Sequence, residues 1–183
     1  AEWPATADTS DRPHLNIGGC YEFELYLTLH NCAGLPRGIY HYDPLGHRLE
    51  PVSQAAADVD ALLENSRLAA NLATAPPVLI SVTARFRRLS RKYNGLSYAL
   101  ALKNTGALLQ TLHLVSTAMG LASTWTEIVD IGVSSRVLGL DWRAESGVAE
   151  FLLGRPAEGA PDGAAKEPAE PHNDPRWASW ARA

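Results

Sequence analysis

Two short segments of this chain hold residue types that can do chemistry. In Arg85-Phe86-Arg87-Arg88-Leu89-Ser90-Arg91-Lys92-Tyr93, five cations fall within eight residues and an ammonium stands beside a phenol. Desolvation lowers a lysine pKa and a neighbouring cation lowers that of a tyrosine, so a Lys-Tyr pair can pass a proton near neutral pH. The second segment, Arg12-Pro13-His14-Leu15-Asn16-Ile17-Gly18-Gly19-Cys20-Tyr21, puts two glycines before a strand. Without a Cβ at either position, backbone amides there can approach a flat or anionic ligand. Each segment also has a plainer reading, the first as a solvated charged face and the second as a turn. The chain carries no GxGxxG, GxxxxGK[ST] or GxSxG motif. Its six histidines (14, 30, 41, 47, 113 and 172) form no HExxH and no other i, i+4 pair, so no metal site is predicted. His41 and His47 read as surface residues near a turn. Cys20 and Cys32, twelve apart, read as free thiols in a reducing cytoplasm.

The elements that must position these residues follow from pattern. Glu22–His30 alternates as a strand, residues 38–43 return antiparallel to it, and Asp43-Pro44-Leu45-Gly46 turns the chain into a third short strand. A helix is predicted from Ser53 to the stop at Pro76-Pro77, with Val59, Leu62, Leu63, Leu68 and Leu72 as its apolar positions. The run VLISVTARF, residues 78–86, is rich in β-branched residues and reads as a buried central strand. The cationic segment follows as a loop at its end. Tyr98–Met119 is the strongest helix, with Leu102, Leu109, Leu112 and Met119 near one face and Gly120 as its cap. A short helix near 133–138 and a strand at 148–153 complete an α+β domain.

Composition sets the limits. One hundred and eighty-three residues at 46% hydrophobic and 20% charged describe one globular domain with its own core. A net charge of −4 argues against a nucleic-acid partner, and no apolar run reaches the ~18 residues of a membrane span. Past Gly154 the character changes: residues 155–183 hold five of the twelve prolines and eight alanines, ending in Trp177-Ala178-Ser179-Trp180. The chain therefore divides into a lead-in at 1–11, a domain at 12–154 and an arm at 155–183. The two tryptophans suit an anchor, on this domain or on a partner subunit, or else end a solvated tail.

Taken together, the motifs resemble the nitroreductase-like FMN flavoproteins, and within them the SagB-type dehydrogenases that oxidise azolines in modified peptides. The resemblance rests on RPHLNIGGCYEFELYL from Arg12, GLPRGIYHYDP from Gly34, Lys92-Tyr93, YALALKNTGALLQTLHLVSTAMGLA from Tyr98, Gly139-Leu140-Asp141 and VAEFLLG from Val148. It implies a central mixed sheet flanked by helices, FMN at the interface of a homodimer or of a heteromer with a related flavin-domain chain, and Lys92 and Tyr93 as the catalytic pair. It implies flavin contacts from Arg12, His14, Asn16, Gly18 and Gly19, and a peptide or small-molecule substrate. Three departures stand out. Asn16 replaces the relatives' serine, Trp125–Asp130 fills a stretch they keep glycine-rich, and no arginine or lysine precedes Arg12. Arg155, or a partner chain, is therefore expected at the phosphate. Two readings follow: a flavoenzyme, or a catalytically reduced partner that completes another chain's flavin site.

Overall fold

A computed structural model of the protein describes residues 12–156. The lead-in at 1–11 and the arm beyond 156, with Trp177 and Trp180, lie outside the described residues.

Six strands make one sheet: β1 (Phe23–Leu29), β2 (Gly38–Asp43), β3 (Arg48–Ser53), β4 (Val78–Ala84), β5 (Ala122–Thr126) and β6 (Ser146–Gly154), in the order β3-β2-β1-β4-β6-β5. The meander β1-β2-β3 forms as its turns predict, and Pro51 sits in β3 at the edge of the sheet, where a residue without an N–H is tolerated. The sheet is not mixed. Every neighbouring pair is antiparallel, because the excursions that join β1 to β4 and β4 to β6 bring the chain back from the end it left.

Among the described residues four α-helices cover the two faces: α1 (Ala56–Ala69), α2 (Phe86–Tyr93), α3 (Ser97–Ala118) and α4 (Ile131–Leu138). Strand alternation sorts the core. Tyr26, Leu79 and Leu152 face Val59, Leu62 and Leu63 of α1 and Val137 and Leu138 of α4. Phe23, Ile80, Val82 and Phe151 face Leu108 and Leu109 of α3. Strand β4 pairs on both sides and alternates between the two clusters, so its nearly continuous apolar run is the expected signature of a central strand.

Four local expectations are corrected. Ser53 ends β3 and does not open α1; its Oγ accepts from Ala55 N and donates to Asp58. The cationic segment is helix α2, because Phe86, Leu89 and Tyr93 recur at i, i+3 and i+7 and give it an apolar stripe; Leu89 is fully buried. Trp125 lies in edge strand β5, and Asp130 accepts a hydrogen bond from Val133 N as the N-cap of α4. Leu68 of α1 and Leu102 and Met119 of α3 face outward, while α3 buries Ala101, Asn104, Thr105 and Leu108. No helix among the described residues is long and apolar enough to cross a membrane.

One carboxyl within the sheet is out of place. Glu150 of β6 is 3% exposed, opposite Ser81 of β4 and Thr126 of β5, and no hydrogen bond engages it among the described residues. Burial, with Asp130 nearby, pushes its pKa up to about 7. Folding therefore favours the protonated acid, and stability falls as pH rises from the ordinary glutamate value to about 7. Glu150→Gln removes that loss. In urea unfolding it should gain on the order of 2–3 kcal/mol at about pH 8 and almost nothing near pH 4. Equal gains at both pH values would refute the assignment.

Candidate functional site

The segment before β1 is shaped from within. Gly18 (φ +93°), Gly19 (φ +61°) and Tyr21 (φ +43°) all take left-handed backbone. Asn16 holds the turn: its Oδ1 accepts from Cys20 N at 3.0 Å and Tyr21 N at 3.1 Å, and its carbonyl accepts from Gly19 N at 3.0 Å. Its Nδ2 donates to Glu22 Oε2 at 2.8 Å. From α3, Asn104 Nδ2 donates to Glu22 Oε1 at 2.8 Å, and Asn104 Oδ1 accepts from Ile17 N at 2.7 Å. Glu22 is wholly buried. Both ends of the Asn16 amide thus bond within the protein, so Asn16, expected as a flavin contact, also shapes the loop. Glu22 and Asn104 were missed as site residues. The legible signal was an asparagine on the apolar stripe of a long helix, between Ala101 and Leu108.

Helix α2 brings Lys92 and Tyr93 to the same turn. Lys92 Nζ donates to the Gly18 carbonyl at 3.0 Å and lies 5.3 Å from the centre of the Tyr93 ring. A Cβ on Gly18 would stand 2.5 Å from Tyr93 Oη, so only glycine lets the phenol close on the loop. Beside Gly19 nothing lies within 4 Å of where a Cβ would be, and Leu15 (69%) and Ile17 (39%) expose apolar side chains nearby in the loop. An open glycine backbone next to apolar side chains fits a flat heteroaromatic group.

The other expected contacts divide. The Arg12 guanidinium lies 5.3 Å from the Tyr21 ring centre, and its backbone N–H donates to the Tyr21 hydroxyl at 3.3 Å. His14 packs edge-on against the same ring at 5.8 Å. Burial, then the charge of Arg12, lowers the His14 pKa, which favours a neutral imidazole. Arg85 and Arg88 are structural. Arg85 bonds Glu145 at 2.7 Å and Glu24 at 3.2 Å, while Arg88 bonds the Tyr21 carbonyl at 2.7 Å and Glu24 at 3.3 Å. Glu24 also meets His41 Nε2 at 3.0 Å, so His41 is half-buried and paired where a free surface residue was expected. Burial raises the Glu145 pKa, but hydrogen bonds from Thr83 and Arg85 outweigh it and hold the carboxyl below its usual value. Burial and Glu145 push the Tyr26 phenol well up, and its hydroxyl donates to Glu145 at 3.1 Å. Cys20 and Cys32 are unpaired.

Arg155 does not join this group. The loop enters β1 at Phe23, which pairs with Ala84 and through it with Ser146. Leu29, Val78 and Leu153 mark the other end, and Arg155 lies two residues beyond Leu153. Six strand steps separate the ends by about 20 Å. At Arg155's end a groove of about 480 Å³ is lined by residues that include Leu72, Ala75, Pro77, Ala122, Thr124 and Leu153.

Comparison with known proteins agrees with this architecture. The nitroreductase family model matches residues 16–153. A nitroreductase-type protein of Methanocaldococcus jannaschii is 23% identical over 108 residues, 59% of this chain and 54% of its own. The trifolitoxin-processing protein TfxB of Rhizobium leguminosarum bv. trifolii is 28% identical over 141 residues, 75% of this chain and 38% of its own. The chain thus spans about half, or less, of the length of these relatives. In the E. coli microcin synthetase McbBCD complex, solved with truncated pro-MccB17 bound, one chain superposes with a TM-score of 0.69 at 22% identity, covering 83% of this chain and 59% of that one.

The fit of Tyr93 against Gly18 can be measured. Gly18→Ala should destabilise the fold by about 2 kcal/mol or more, from the left-handed backbone and the displaced ring together. In a Tyr93→Ala background only the backbone cost remains, so the penalty should shrink by about 1 kcal/mol. Strict additivity in urea unfolding would refute the contact.

Proposed function

Because the chain belongs to the nitroreductase family, we propose that it is an FMN-dependent oxidoreductase of the SagB type. Its reaction would be the dehydrogenation of an azoline ring, or a similar unit, in a peptide or small-molecule natural product. The observation that carries this reading is the closure of Lys92 and Tyr93 on Gly18. Bound FMN would supply the hydride acceptor. The work left to the protein is to hold a flat ring, keep water from it and take the proton from the neighbouring ring atom. The Gly18-Gly19 backbone with Leu15 and Ile17 answers the first need. The Tyr93 hydroxyl, held against the loop with the Lys92 ammonium beside its ring, answers the last. Support for a peptide substrate comes from the relatives: one is a trifolitoxin-processing protein, and another belongs to a synthetase complex solved with a precursor bound.

Assembly is part of the proposal. Arg155 and the glycine loop stand at opposite ends of the sheet, which favours a phosphate contact from a second chain. A second copy, or a related flavin-domain chain, can bring the missing end. Helix α3 offers the surface, since Tyr98, Leu102, Leu114, Val115 and Met119 are all exposed on it. Nothing lies within 4 Å of a Cβ placed on the exposed Gly106 between them, which leaves room for close approach of another helix.

Native mass spectrometry of the purified protein should report a dimer or heteromer carrying FMN, and the sample should be yellow. Leu102→Asp with Leu114→Asp should give monomers that lose the colour, with little change in helical circular dichroism. Lys92→Ala and Tyr93→Phe should each lower turnover by at least about a hundredfold, the usual scale for a lost acid–base group, while the yellow colour remains. A protein that stays colourless with added FMN and with a partner chain would instead be a scaffold subunit. Active variants at both positions would remove the catalytic assignment.

A further inference from the structure

Helix α2 carries a second feature that the proton chemistry leaves unused. Arg87 and Arg91 stand one turn apart on it, and with Arg85, Arg88, Ala144 and Glu145 they line a cleft of about 220 Å³. Arg85 and Arg88 are committed to Glu24, Glu145 and the Tyr21 carbonyl. Arg87 and Arg91 are exposed, and among the described residues no ion pair or hydrogen bond engages either. Like charges at i, i+4 repel, so the pair weakens its own helix unless an anion lies between them. Glu145 cannot serve, because its oxygens are already taken by Tyr26, Thr83 and Arg85. The cleft is also an exception within a chain of net charge −4.

We propose that this cleft docks the carboxylates of an acidic segment of the substrate peptide. Two guanidinium forks whose Cβ atoms lie about 5–6 Å apart can each grip a separate carboxylate in bidentate fashion. Lys92 follows Arg91 directly, so a segment held there sits within one short helix of the proton-handling pair. One eight-residue helix on an acidic protein is too small a basic surface for a nucleic-acid duplex. The inference rests on the peptide-substrate reading and adds which part of the peptide is recognised.

The test is fluorescence anisotropy with the purified full chain and labelled tetraglutamate and tetraglutamine peptides, with flavin absorbance recorded on the same samples. Tetraglutamate should bind at least about tenfold more tightly than tetraglutamine, and its affinity should fall as salt rises. Arg87→Gln with Arg91→Gln should lose at least about tenfold of that affinity, with the thermal melt and flavin absorbance unchanged. Arg87→Lys with Arg91→Lys, which keeps the charge but not the fork, should lose part of it. Equal binding by wild type and the glutamine variant, no binding at all, or displacement of the peptide by equimolar inorganic phosphate would each overturn the proposal. A colourless protein that still binds tetraglutamate would show the flavin reading failing while the docking site stands.

Discussion

A buried carboxylate governs the geometry of this protein's site. Glu22 has no exposed surface, and amide donors from Asn16 and Asn104 fill both its oxygens. A polar group buried without partners costs several kcal/mol, and here both amide donors reach it. The consequence is a three-point clamp. Asn104 fixes the loop to α3 through Ile17, Asn16 curls the loop over Cys20 and Tyr21, and Glu22 ties the two amides together at the mouth of β1. The left-handed turn at Gly18 and Gly19 is held from below. Lys92 and Tyr93 then meet a surface that is already set, as the proposed proton transfer would require.

A second constraint acts at the scale of the sheet. In this antiparallel sheet β1, β4 and β6 run side by side from Phe23, Ala84 and Ser146 to Leu29, Val78 and Leu153, so its two ends lie about 20 Å apart. The glycine loop, Tyr93 and the arginine helix gather at one end, while Arg155 and the apolar groove lie at the other. The two-fold pairing proposed above would bring each end of one chain to the opposite end of its partner, twice. The outward-facing leucines of α3 are what such a pairing would cover, and Gly106 keeps the surface between them low.

How much of this could be read from the residues depended on whether a signal was local. Strands β1, β2, β4 and β6 were legible because their alternation, or their β-branched runs, depend only on neighbours in sequence. Helix α2 was not, because five cations hid an apolar stripe of three residues, Phe86, Leu89 and Tyr93. Strand β5 was missed for the opposite reason: ASTWT has little pattern of its own and becomes a strand by pairing with β6. The loop's residues were read as flavin contacts, and the bonds they make within the protein were not legible: Asn16 bonds Glu22 and two backbone N–H groups. Arg155 was read as a contact of the same site because nothing in a sequence tells which end of a sheet a strand runs toward. Distances of this kind belong to register, and register is non-local.

Lys92, proposed above as half of a proton-handling pair, also belongs to the fold. Its ammonium donates to the Gly18 carbonyl, so it restrains the loop as well as standing beside the Tyr93 ring. An exposed, charge-assisted hydrogen bond is worth little to global stability. Its value lies in local order: it fixes one carbonyl on a glycine whose left-handed backbone other residues resist. Arginine at this position would keep the charge and a donor for Gly18, but a guanidinium holds its proton too firmly to pass it on. Loop restraint and proton handling would therefore separate in such a variant. The loop would survive a substitution that the proposed proton transfer would not.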